Sequence, residues 1–230
     1  MYDSIIIGGG IAGLQGAIQL GRYKHRVLVI DAEDGRSAYC HSFHNVLGYP
    51  DGVSGPELRQ TGRLHAQTLG VEFMNDKVAS AENQGGVFTV ETESGSKFEG
   101  RTLFIATGIV DRIPPFPELK PCLGVSVYVC PDCDGYEVSN QKTIVMGSGN
   151  PGANMALTIS YWTDDIIYVN HEEKDVDSEL LEKLAQKGIE HRKEAISKVY
   201  ADGPDFHGVE LPGERLWRRK KAFWLLGETK

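Results

Sequence analysis

Apolar residues in this chain fall into short, nearly continuous runs punctuated by glycines. The first, "DSIII" over residues 3–7, opens into Gly8-Gly9-Gly10, then Ile11-Ala12-Gly13 and a helical stretch to about Leu20. "HRVLVID", from His25 to Asp31, is the next run. Short apolar runs bounded by turn residues read as strands buried on both faces, so the opening predicts strand, glycine turn, helix, strand at parallel-sheet spacing. "LRQTGRLHAQTLG" predicts a helix from Leu58 that stops at Gly70. "GVFTVETESGSKFEG" alternates apolar and polar residues around Ser94-Gly95, a hairpin signal, and "RTLFIATG" predicts a buried strand ending at Thr107-Gly108.

The pattern then breaks. Residues 109–121 hold Pro114, Pro115, Pro117 and Pro121, which no continuous helix or central strand accommodates, so the segment reads as a connection. "KTIVMGSGN" repeats the opening theme, with Lys142–Met146 as strand and Gly147-Ser148-Gly149 as turn. A helix to about Thr163, the strand "IIYVN", a helix over Leu180–Gly188, and the short strands "AISKVY" and "HGVEL" follow. The expected fold is therefore α/β, with two Rossmann-like dinucleotide-binding domains of three-layer type, one over residues 1–113 and one over 118–230.

Composition narrows the classes of function. At 230 residues and 40% hydrophobic content, the chain can bury its own cores. A net charge of −8 argues against a general nucleic-acid binder. The one dense basic cluster, Arg215, Arg218, Arg219, Lys220 and Lys221, lies among strand-like residues and reads as a solvated strand edge. No leader precedes the first strand and no apolar stretch is long enough for a membrane span, so a cytoplasmic protein is expected. Four cysteines are too few for a disulfide-built scaffold.

Gly8, Gly10 and Gly13 form G-x-G-x-x-G between a strand and a helix, and Asp31 closes the next strand, eighteen residues on, where a ribose-binding carboxylate belongs. Glu33 is a second candidate for that role. Gly147, Gly149 and Gly152 repeat the spacing, but the following strand runs into "NHEEKD". A 2′-phosphate wants arginine or lysine there, so NADH suits this turn better than NADPH. Cys130-Pro131-Asp132-Cys133 could be half of a zinc site, a structural pair or a redox pair. No second C-x-x-C completes a metal site, so no metal is expected, and a structural pair leaves Asp134 unexplained. Redox use accounts for both: one thiol attacks, the other resolves, and a carboxyl carries the proton.

In order, Gly8-x-Gly10-x-x-Gly13, "ATG" at 106–108, "CPDCDG" at 130–135 and "GSGNPG" at 147–152 resemble the low-molecular-weight thioredoxin reductases and thioredoxin-reductase-like flavoproteins. "NVLGYPDGVSG" is similar to that family's N-x-x-G-x-P loop through Asn45, Gly48 and Pro50. The resemblance implies FAD in the first domain, held by Gly8, Gly10, Ala12, Gly13, Asp31, Asn45, Ala106, Thr107 and Gly108. It implies a nicotinamide dinucleotide on Gly147, Gly149 and Gly152, Cys133 toward the flavin, Cys130 toward the substrate disulfide, and Asp134 as the acid. Implied too are a homodimer and thioredoxin or a similar dithiol protein as partner, while the net charge and the lack of a long apolar stretch lead us to expect no nucleic-acid or membrane partner. The "NHEEKD" turn leaves NADH, another donor such as reduced ferredoxin, or no nicotinamide. The family's chain returns to the flavin domain beyond the point reached here, so that domain reads as incomplete at its C-terminal end. The expected function is flavin-dependent reduction of a protein disulfide. The alternatives are a flavin-dependent dithiol oxidase that passes electrons to oxygen, and an inactive or regulatory truncated flavoprotein-like module.

Overall fold

A computed structural model describes residues 1–213 and 217–226. The chain divides into two compact units, residues 1–40 with 54–110, and residues 41–53 with 111–230.

In the first unit, β1 (Tyr2–Ile7), α1 (Ile11–Arg22) and β2 (Val27–Asp31) form the expected opening, followed by the short α2 (Arg36–Tyr39) and by α3 (Gly55–Thr68). Then come β3 (Glu72–Asn75), β4 (Val78–Gln84), β5 (Val87–Thr92) and β6 (Lys97–Ile105). The sheet order is β3-β2-β1-β6-β5-β4. β1, β2, β3 and β6 are parallel where they adjoin, and β4 and β5 extend the sheet in antiparallel fashion. All five residues of β2 are buried, which is why it reads as an unbroken apolar run. The sequence separates the strand after Ser94-Gly95 from "RTLFIATG", whereas the structure joins them as β6. This strand changes partner at Gly100, antiparallel to β5 before it and parallel to β1 after it. α3 starts earlier than the apolar pattern suggests, because the Ser54 hydroxyl accepts from Glu57 N–H at 3.2 Å and Pro56 occupies the first turn.

In the second unit, β7 (Val127–Tyr128) and α4 (Pro131–Asp134) precede β8 (Thr143–Gly147), α5 (Gly149–Ile159), β9 (Ile166–Asn170), α6 (Ser178–Gln186) and β10 (Glu190–Arg192). β11 (Lys198–Asp202), β12 (Asp205–Glu210) and β13 (Trp217–Arg218) form a small antiparallel sheet, and β14 (Lys221–Leu225) returns to the main one. That main sheet is wholly parallel, ordered β10-β9-β8-β14-β7. Its faces carry two apolar layers, one around Ile144, Met146, Phe206 and Trp224, the other around Val145, Tyr168, Leu184 and Phe223. The proline-rich connection contains one 3-10 helix, Pro117–Cys122. Residues 41–53 cluster with this unit: His41 N–H donates to Leu123 O at 3.0 Å, and Phe43 bridges Val53. Among the described residues no helix is long and apolar enough to cross a membrane.

Candidate active site

β7 carries the chain to Cys130, which caps α4 and is joined to Cys133 by a disulfide. The Cys133 N–H donates to Cys130 Sγ at 3.2 Å, and Asp134 N–H donates to Cys130 O at 3.0 Å. Pro131 sits in the first turn, where a helix needs no donor. Asp134 is only 5% exposed. Lys221, on β14, donates to Tyr128 Oη at 2.7 Å and to Val125 O at 3.0 Å. Burial pushes its ammonium pKa down, while the nearby charges of Glu137, Asp134 and Asp205 push it back up. A cation and a phenol thus stand near the carboxylates of the redox turn. Next to them His44 lies 3.9 Å from Glu137, with its other ring nitrogen 3.1 Å from Ser42 Oγ. The remaining cysteines, Cys40 and Cys122, are buried and lie outside this disulfide, and burial pushes the Cys122 thiol pKa up.

In the first unit the glycine turn lies at the C-terminal ends of β1 and β6. Gly8 has φ +103°, and a Cβ on it would come within 2.3 Å of Ala106 O. One on Gly13 would meet Gly8 O at 1.9 Å. Gly10 differs: its nearest neighbour would be Ser37 Oγ at 3.5 Å, so this side of the turn is open. Ala106, Thr107 and Gly108 follow β6 directly, with Ala106 N–H on Ile7 O at 2.9 Å. Beside the turn is a cleft of about 370 Å³, bounded by Gly9, Asp31, Glu33, Arg59, Arg63 and Phe73. Asp31 is held there by Arg59, 2.6 Å away. Arg63 pairs with Glu33 at 3.1 Å and lies over the Phe73 ring.

The second glycine turn is built differently. The Asn170 side chain is fully buried, accepts from Gly149 N–H at 3.0 Å and donates to Lys174 O at 2.6 Å. Tyr168 Oη donates to Gly149 O at 2.7 Å, and its ring fills the space against Gly152. Asn150 and Asp177 exchange two hydrogen bonds, which ties the loop after β9 to the start of α5. Glu172 pairs with Arg112 and, at 2.8 Å, with Lys174. His171 Nδ1 accepts from Ile196 N–H at 2.8 Å, and burial pushes this histidine's pKa down.

The hydrogen bond from Arg112, aided by Lys174, holds the Glu172 pKa at about 2 rather than 4.5. A carboxylate whose folded pKa is depressed adds stability above its unfolded pKa and loses it as pH falls toward the folded one. The contribution is therefore complete above about pH 4.5 and lost progressively toward pH 2. We expect it to be on the order of 2 kcal/mol, since the pair is partly solvated. Urea unfolding at pH 7, 4 and 3 should show Glu172→Gln less stable at pH 7, with the gap closing at pH 3.

The structure thus gathers Gly8, Gly10, Ala12, Gly13, Asp31, Ala106, Thr107 and Gly108 at the C-terminal ends of the parallel strands of the first unit. Asn45 is exposed in the 41–53 segment, which belongs to the second unit. Cys130, Cys133 and Asp134 share one turn, and Gly147, Gly149 and Gly152 another. Sequence reasoning missed Arg59 and Arg63, although their four-residue spacing on α3 puts both on one helix face. It also missed Tyr168 and Lys221, which look like ordinary strand residues. Asn170, at the end of β9, is committed to Gly149 and Lys174.

Two α/β units, each with a G-x-G-x-x-G turn, and a C-x-x-C disulfide on the second, define a redox-disulfide protein of dinucleotide-binding type. Residues 2–229 match the pyridine nucleotide-disulphide oxidoreductases, and the chain belongs to that family. It is 28% identical to the thioredoxin reductase of Aquifex aeolicus over 246 residues, covering all of this chain and 74% of that protein. It is 30% identical to that of Treponema pallidum over 171 residues, covering 74% of this chain and 55% of the relative. The crystal structure of HlmI superposes with a TM-score of 0.81 at 28% identity, over 96% of this chain and 70% of HlmI. An oxidoreductase from Agrobacterium tumefaciens gives 0.74 at 28% identity, over 97% of this chain and 74% of that one. The chain thus spans between about half and three quarters of the length of these relatives.

Proposed function

We propose that this chain moves electron pairs between a flavin and a substrate disulfide through Cys130 and Cys133. The observation that carries the reading is the disulfide closed across α4 with a buried carboxyl, Asp134, in the same turn. Reduction of the substrate consumes two electrons and two protons: one substrate S–S bond breaks and the Cys130–Cys133 bond forms. Cys130 attacks, its thiolate stabilised by the Cys133 N–H that already points at its sulfur, and Cys133 then resolves the mixed disulfide. Asp134, buried in the same turn, passes protons to and from the sulfurs. The substrate is a thioredoxin-type dithiol protein, as the names of the relatives suggest.

The first unit fits FAD. The Gly10 side of the turn is open, Gly8 and Gly13 leave no room for side chains, and Asp31 borders the adjacent cleft with lone pairs beyond those taken by Arg59. FAD bound there supplies a two-electron carrier. The second turn does not fit a nicotinamide dinucleotide: Gly149 N–H is taken by Asn170, Pro151 has no N–H, and residues 171–177 are tied over the helix start. That closure favours a second reading, the same site run in reverse. A dithiol would be oxidised to a disulfide and dioxygen reduced to hydrogen peroxide.

The test is to reconstitute the chain with FAD and titrate it anaerobically with NADH, NADPH and a dithiol. We expect dithiothreitol to bleach the flavin band and both nicotinamides to leave it unchanged over minutes. Rapid bleaching by NADH would overturn the closed-turn argument. Failure of the dithiol to reduce the flavin would overturn the redox role of the cysteine pair. Peroxide formed in air with the dithiol separates the oxidase direction from the reductase one.

A further inference from the structure

We infer that the second unit carries an anion pocket at the end of its strands opposite the glycine turn, and that the pocket takes a multiply phosphorylated small molecule. It is a cavity of about 730 Å³, bordered by Lys142, Tyr200, His207, Arg218, Arg219 and Lys220. Among the described residues its lining includes no acidic one. Lys142 precedes β8, Lys220 precedes β14, and pairing of β13 with β12 brings Arg218 beside Gly208, next to His207. The backbone closes the arrangement, with Arg219 N–H on His207 O at 3.1 Å.

The charge is concentrated and poorly balanced. Among the described residues Asp165 answers two of the cations, Lys142 at 3.5 Å and Arg219 at 3.3 Å. Among the described residues neither Arg218 nor Lys220 forms an ion pair, and both are exposed. Arg219 is 16% exposed, and its buried Nε–H has no hydrogen-bond partner among the described residues. Among the described residues four cations line the pocket, Asp165 pairs with two of them and Glu210 accepts from the Tyr200 hydroxyl, so Arg218 and Lys220 concentrate positive charge on a chain whose net charge is −8. Such like charges repel unless an anion offsets them.

Shape decides between classes of anion. The volume falls in the range of roughly 300–1,000 Å³ typical of small-molecule sites, and the site is concave, whereas an acidic protein would meet a flatter, wider surface. Two adjacent guanidiniums suit phosphate oxygens through paired N–H bonds, and the lysines add point charge. The site is also separate from the glycine turn. β8 runs from Thr143 at the pocket end to Gly147 at the turn, four strand steps or about 13 Å.

The experiment is calorimetric titration of the whole chain with inorganic tripolyphosphate and, separately, orthophosphate, at 0.15 M ionic strength. One saturable site is expected, at least tenfold tighter for tripolyphosphate. The double substitution Arg218→Gln/Lys220→Gln should weaken it at least tenfold, with the thermal unfolding midpoint within about 2 °C of the parent. Amide shifts on titration should fall at 142, 207 and 218–220 and not at 147–152. Undiminished binding by the double variant, or shifts centred on the glycine turn, would overturn the assignment. So would the absence of saturable binding at this ionic strength, which would leave only diffuse counterion attraction. Poly-glutamate binding as tightly as tripolyphosphate would make the surface a docking face for an acidic chain and overturn the small-molecule class.

Discussion

Cys130→Ser and Cys133→Ser are each expected to lose disulfide turnover by roughly a thousandfold or more, and the double variant to lose no more than either single one. The two sulfurs act as one unit, so their effects do not add. Removing the attacking thiol leaves nothing to open the substrate bond. Removing the resolving thiol leaves a mixed disulfide that cannot collapse. The singles should therefore differ in what they trap. With a disulfide substrate in a single turnover, the variant that keeps the attacking thiol accumulates a covalent adduct visible by intact mass, and the other does not. We assign attack to Cys130, so Cys133→Ser is the variant expected to carry the adduct. An adduct on Cys130→Ser alone would reverse the two roles. Stability gives a control: so short a closed loop contributes only about 2 kcal/mol by chain entropy. Both serine variants should then unfold like the reduced parent, so lost turnover cannot be put down to lost fold.

Parts of this architecture were legible because the physics that builds them is local. β2, β8 and β9 are buried on both faces, so each appears as an uninterrupted apolar run bounded by turn residues. The C-x-x-C turn announces itself by spacing alone. The edges were not legible. β4 is exposed along most of its length and reads "VASAENQ", and β7 and β13 are two residues long, so no periodicity can develop. Most hidden were commitments made across the fold. Asp31 meets Arg59 twenty-eight residues away, and Asn170 folds back twenty-one residues to hold Gly149. The basic cluster was seen as a linear run and read as a solvated strand edge, with Arg215 now lying outside the described residues. Its counterparts Lys142 and His207 join only when β8, β12 and β13 assemble.

The sharpest test of the flavin turn contrasts two glycines two residues apart. Gly8→Ala should destabilise the chain by roughly 2–5 kcal/mol and abolish flavin retention, because its methyl would sit 2.3 Å from Ala106 O in a backbone at φ +103°. The obstacle is backbone, so no side-chain rotation relieves it. Gly10→Ala should behave otherwise. Gly10 has φ −74°, and its new Cβ would meet nothing closer than Ser37 Oγ at 3.5 Å. The flavin-free chain should then keep its stability within about 0.5 kcal/mol, as substitutions away from close contacts do. The methyl would nevertheless stand on the open side of the turn that a diphosphate must approach, and FAD affinity should fall at least tenfold. Urea unfolding without flavin, set beside fluorescence titration with FAD, reads the two effects apart. If Gly10→Ala binds FAD as the parent does, the diphosphate does not lie at this turn, and the first unit's open face serves another ligand.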